Sequence, residues 1–128
     1  MTEEREGDRQ FRLAKETLAL FVERGEDLAD ERHVIHYMYG GNWRAMGAAL
    51  AELGYQVRPT ADEDGLVAER WEVTDEEWAR RSMHRMCELA EQYGVEYDGW
   101  EASMVRQGRA TPPPAKRGLL HKFFKRNR

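Results

Sequence analysis

Gly94-Val95-Glu96-Tyr97-Asp98-Gly99-Trp100-Glu101-Ala102-Ser103-Met104-Val105 follows a long amphipathic helix without a break and reads as the closing strand of a domain. At its centre, Tyr97-Asp98-Gly99-Trp100 sets a small residue between a short acid and the largest side chain. Glycine inside a strand weakens it and marks a bulge or a close backbone approach. Asp98 can hydrogen-bond local backbone at such a kink, and Trp100 can fold over the space that Gly99 leaves. Taken alone, the four residues describe a kinked core strand.

The helix before that strand opens at Thr74-Asp75-Glu76-Glu77, which has the form of a capping box. It carries Trp78, Ser82, Met86, Leu89 and Tyr93 on one stripe, with Met83, Cys87 and Ala90 alongside, and Gly94 ends it. Further back, Leu66–Val73 reads as a strand with Val67, Trp71 and Val73 on one side. Ala61–Gly65 is an acidic turn. Tyr55-Gln56-Val57-Arg58-Pro59-Thr60 is a short strand, placed at an edge by its proline. Asn42 caps a helix with Trp43, Met46, Leu50 and Leu53 at helical spacing, closed by Gly54. Arg32–Tyr39 is β-branched and aromatic and bounded by Gly40-Gly41, with Val34, His36 and Met38 on one face and Ile35, Tyr37 and Tyr39 on the other. Both faces are rather apolar, so this strand belongs in the middle of a sheet. The first helix starts from Asp8 as its cap, carries Phe11, Ala14, Leu18, Phe21 and Val22, and stops at Gly25.

A helix followed by β-α-β-β-α-β predicts an α+β fold: a ferredoxin-like sandwich with an antiparallel sheet and two helices on one face. The leading helix covers part of the second face or packs at an edge. Residues 1–105 form this one domain, since 128 residues leave no room for two. Residues 106–128 read as a proline-containing linker and a flexible basic amphipathic tail.

Charge divides the chain at the same point. All 24 acids lie in residues 1–105 with twelve of the 20 cations, a body of about −12; the remaining eight cations, Arg106 to Arg128, have no acid among them. The body favours cationic partners and repels nucleic acid, and the tail does the reverse. Acids concentrate at Glu23, Glu26, Asp27, Asp30 and Glu31, and again at Asp62, Glu63 and Asp64. These loops are the candidate partner-binding surface, suited to an Arg/Lys-rich segment. In the tail, Leu119, Leu120, Phe123 and Phe124 share one face of a short helix flanked by Lys122, Lys125 and Arg126. Three uses follow: an inert terminus, a segment folded back on the acidic body, or a binder of RNA, anionic lipid or a partner groove.

No catalytic or metal-binding set emerges. His33 and His36 project from opposite faces of one strand and cannot chelate a single ion, and a lone cysteine gives no structural zinc site. Cys87 reads as a small core residue. Asp98 and Glu101 fall on opposite faces unless a bulge at Gly99 re-registers them, so an acid/base pair is not expected. Gly40-Gly41 is too short for a phosphate loop and lacks the following Lys-Ser/Thr. Val67-Ala68-Glu69-Arg70-Trp71-Glu72 is acidic and short of the stacking aromatics of an RNA-recognition sheet. The N-terminus lacks a signal-peptide pattern and no segment nears the roughly 18 apolar residues of a membrane span. With its single cysteine, the chain is expected in the cytoplasm.

Three stretches together resemble the regulator of ribonuclease E activity B (RraB-like) family. They are Gly25-Glu26-Asp27-Leu28 leading to Arg32-His33-Val34-Ile35-His36-Tyr37; Leu50-Ala51-Glu52-Leu53-Gly54-Tyr55-Gln56-Val57; and Glu91-Gln92-Tyr93-Gly94-Val95-Glu96 running into Tyr97-Asp98-Gly99-Trp100-Glu101. The last is the most specific. The resemblance covers roughly residues 8–105 and implies a similar sandwich. It also implies a small bacterial cytoplasmic protein, without catalysis or cofactor, that binds ribonuclease E or its RNA-degrading complex and restrains messenger RNA decay. The basic tail departs from the family's pattern. It carries the alternative reading, a nucleic-acid or anionic-membrane adaptor with the sandwich as scaffold.

Overall fold

The computed structural model describes residues 4–61 and 64–106. Seven elements follow one another: α1 (Glu6–Glu23), β1 (Glu31–Tyr39), α2 (Trp43–Glu52), β2 (Gln56–Pro59), β3 (Gly65–Val73), α3 (Glu76–Tyr93) and β4 (Glu96–Ala102). The linker and tail expected beyond Arg106 lie outside the described residues.

Two helix starts differ from their expected caps. α1 begins at Glu6, ahead of Asp8, with no side chain capping it. Asp8 sits instead in the first turn, where a carboxylate complements the helix dipole. At α3 the cap is Asp75, whose carboxylate accepts from the Trp78 backbone N–H at 2.9 Å. Thr74, the expected first member of a capping box, is fully buried one residue outside the helix. An aspartate one position further on supplies both the hydrogen bond and the favourable charge. Asn42 does cap α2, accepting from Ala45 N–H at 3.3 Å.

The strands form one antiparallel sheet in the order β2-β3-β1-β4. β1 is central, as its two apolar faces require, and β2 with Pro59 is an edge. The pairing of β1 with β4 slips once: Trp100 stands opposite His36 and Tyr97 opposite Met38, leaving Asp98 and Gly99 together against Tyr37. This is a β-bulge, and Gly99 takes the positive φ of 107° that the kink needs. Tyr97 and Trp100, three residues apart, therefore both turn into the main core.

That core lies on one side of the sheet. Val34, His36 and Met38 of β1 are fully buried beneath helix residues that include Ala14, Leu50 and Met83. α1, whose position the pattern left between two options, packs along α3 on this same side and reaches edge strand β4 through Phe21. There the Phe21 ring meets Trp100 edge-on at 6.4 Å between centroids, and Trp78 of α3 meets it at 4.9 Å. His36 brings an imidazole into this layer. Its Nδ1 lies 2.7 Å from the Tyr97 hydroxyl, which lies 3.9 Å from Met83 Sδ. With the proton on Nδ1, His36 donates to Tyr97 and Tyr97 donates to the sulfur, leaving only an imidazole lone pair without a partner.

Two expectations for stability follow. A Cβ on Gly41 would collide with the Gly94 carbonyl, where Asn42 N–H is held to the Tyr93 carbonyl at 3.0 Å, whereas a Cβ on Gly40 would meet nothing within 4 Å. Both glycines have positive φ. Gly41→Ala should lower the unfolding free energy by about 3 kcal/mol and Gly40→Ala by only about 1 kcal/mol, read by urea denaturation. Burial, with the Arg70 charge adding to it, pushes the His36 imidazole down to about 3 from 6.5. The unfolded chain therefore binds a proton at pH values where the folded one does not. The contribution is complete above pH 6.5 and is lost as the pH falls towards 3, at up to about 1.4 kcal/mol per pH unit. His36→Gln should flatten the stability profile between pH 6.5 and 4 in the same denaturation experiment.

Candidate partner-binding surface

The acidic connection between α1 and β1 is only partly a surface. Glu26 is 4% exposed and Arg32 is fully buried. Their side chains form an ion pair at 2.6 Å. The Arg32 guanidinium also donates to the Asp27 carbonyl at 2.7 Å and to the Ser103 carbonyl at 3.3 Å, and it lies 5.2 Å from the centre of the Phe21 ring. The Glu26 carboxylate in turn accepts the backbone N–H groups of Val105 at 2.9 Å and Arg106 at 3.1 Å. A charge inside a protein is tolerated when it is paired and its remaining hydrogen-bonding capacity is met; this pair meets the first condition and most of the second, with Arg32 Nε the donor left over among the described residues.

Glu26, expected among the partner contacts, is thereby drawn into the interior because β1 presents Arg32 on its buried face. Asp27 and Asp30 stay at the surface but face Arg106, at 3.6 Å and 2.8 Å. The Arg106 hydrogen bond holds the Asp30 carboxyl below its ordinary range. Glu23, Glu31 and Asp64 are exposed. Asp62 and Glu63 lie outside the described residues, as do Leu119, Leu120, Lys122, Phe123, Phe124, Lys125 and Arg126.

The two carboxylates of the motif stay apart even with the bulge at Gly99. Asp98 lines an open cleft of about 1030 Å³ between the start of α1, the end of α3 and the start of β4. Glu101 instead accepts from the Tyr37 hydroxyl at 3.2 Å on the side of the sheet away from the core. The cleft collects Glu6, Asp8, Glu88, Glu91 and Glu96 against Arg5 and Arg9. Asp8 bonds His84 at 2.9 Å, and that hydrogen bond raises the His84 imidazole above its usual value. Cys87 also lines the cleft, but burial pushes its thiol up to about 12, so it is no nucleophile at neutral pH. Among the described residues, no group of three or more His, Cys, Asp or Glu side chains is placed to hold a metal ion. None of the described helices is long and apolar enough to cross a membrane.

The other face of the sheet has no described helix over it. It presents His33, Ile35, Tyr37 and Tyr39 of β1 and Val67, Glu69, Trp71 and Val73 of β3, none of which joins the main core. Glu69 bridges His33 at 3.1 Å and Arg58 at 3.0 Å, and the His33 ring lies 5.4 Å from Trp71. Trp71 is 60% exposed and Val73 is 38% exposed. Ile35, Tyr39 and Val67 on this face are buried, so its exposure is concentrated at Trp71 and Val73, a difference that the alternation Val67, Trp71, Val73 did not signal. The cleft had no local signal, since α1 and β4 meet from opposite ends of the chain. Removing the Glu26 charge should leave Arg32 buried without a counter-ion: Glu26→Gln should lose about 3 kcal/mol, and exposed Glu31→Gln less than about 0.5 kcal/mol, by urea denaturation.

A search of curated proteins finds no match to this chain. The family model described as regulator of ribonuclease activity B matches residues 13–102, from the second turn of α1 to the last residue of β4. That span takes in the whole sheet, the Glu26–Arg32 pair and the bulge at Gly99, and the chain belongs to the regulator of ribonuclease activity B (RraB) family.

Proposed function

We propose that this chain is a non-catalytic, protein-binding inhibitor of ribonuclease E that slows messenger RNA decay by docking on the enzyme or its RNA-degrading complex. The observation that carries this reading is the family match across residues 13–102, the entire sheet sandwich. The strand order β2-β3-β1-β4, with α2 and α3 as its two crossovers, supports reading that sandwich as ferredoxin-like. The excess of acids in the body supports a cationic docking segment on the ribonuclease, because complementary charge accelerates encounter and fixes orientation. Glu23, Glu31 and Asp64 are the acids of the two loops that are exposed and described without an ion pair, so they are the contacts to change.

Purified ribonuclease E, titrated with the full chain in a calorimeter and assayed on a structured RNA, tests the proposal. The wild-type chain should bind and slow cleavage. Glu23→Lys, Glu31→Lys and Asp64→Lys combined should weaken binding by about tenfold or more, chiefly through the on-rate, with an unchanged circular dichroism spectrum. Equal binding by the triple variant would remove the acidic loops as the contact. No binding by the wild-type chain, with RNA or anionic vesicles retained instead, would replace the regulator with an adaptor acting through the basic tail.

A further inference from the structure

We propose that the chain's own C-terminal segment, residues 107–128, docks on the helix-free face of the sheet, with its apolar cluster against Trp71 and Val73. The face has the composition of a covered one. Trp71, 60% exposed, and Val73 form an apolar end, and the carboxylates of Glu69, which bridges His33 and Arg58, and of Glu101 lie on the same face. The segment offers the complement. Its Leu119, Leu120, Phe123 and Phe124 are interleaved with Lys122, Lys125 and Arg126, and it has no acid at all.

Placement favours the same pairing. Ser103 sits against His33, exchanging backbone and side-chain hydrogen bonds with it, and His33 is in turn the register partner of Trp71. Two strand spacings, roughly 10 Å, thus separate the end of β4 from the exposed indole. Glu26 and Asp30 fix Arg106 at this end of the sheet, so the segment starts from a held point. From there the twelve residues Gln107–Gly118 reach about 40 Å when extended, more than the roughly 30 Å of the nine-residue strands β1 and β3. Tethering of this kind presents the cluster at an effective concentration of about millimolar, which makes a weak contact sufficient. The cleft carries more acids but is the poorer host for the apolar cluster, because none of its lining residues is an exposed large hydrophobic side chain that could meet Phe123 or Phe124.

The test uses the full chain without ribonuclease, so its result is independent of the proposed target. A nitroxide is attached at Ala115→Cys; Cys87, buried and protonated, does not compete for the label. Paramagnetic broadening is then read on the tryptophan indole and backbone amide signals. Docking on the sheet predicts loss of the Trp71 indole signal. The signal should return in Phe123→Ser/Phe124→Ser, which change only the segment's own apolar cluster. It should also return in part at about 1 M salt, where the screening length is about 3 Å. Broadening centred on Arg5–Gln10 and Glu91 would overturn the proposal in favour of the cleft. So would an absence of broadening in the folded domain, or broadening seen only between labelled and isotope-enriched molecules in a mixed sample, which would mean contact between copies.

Discussion

Trp100 is the contact on which the layers of this domain converge. It belongs to the edge strand, stands in register with His36 of the central strand, and takes Phe21 of the first helix and Trp78 of the third against its ring. An edge strand in perfect alternation could not place both Tyr97 and Trp100 inward, because residues three apart point to opposite sides. The extra residue at Asp98-Gly99 removes that conflict. One glycine with positive φ thus lets β4 supply two aromatic anchors to the core where a regular strand of that register would supply one. The first helix, which has few contacts with the sheet itself, is tied to it through this ring.

A second constraint is the buried pair of Glu26 and Arg32. It joins the loop after the first helix to the central strand and then, through Ser103, Val105 and Arg106, to the end of the last strand. The acidic look of the α1–β1 loop therefore has two origins. Glu26 balances an interior cation, and Asp27 and Asp30 receive Arg106. Only the remaining exposed acids contribute a field that a distant cationic partner can feel.

Most of the fold was legible because local signals and long-range need agreed. Asn42, Gly94, Pro59 and the alternation in β1 each do locally what the sheet demands of them. The α+β class and the central place of β1 followed from such signals. What could not be read was set by contacts between distant residues. Thr74 and Asp75 are both acceptable caps, and the burial of Thr74 at the end of β3 decides between them. Arg32 looked like the polar start of a strand, and its burial depends on Glu26 and on Ser103, which lies 71 residues further along the chain. Likewise the position of the first helix, the cleft beside Asp98 and the exposure of Trp71 are properties of how elements stack, which spacing within one element does not encode.

The central position of β1 has a consequence for how the molecule comes together. Its neighbours are among the last elements to be made: Glu31 pairs with Val73 and Val34 with Ala102. Among the described residues, the hairpin of β2 and β3 is the sole pairing between strands adjacent in sequence. Folding must close long loops before those contacts repay the lost chain entropy, which places this domain among slower folders of its size. Until β4 arrives, the apolar middle strand has a bare flank, an unpaired edge open to wrong pairing during the search.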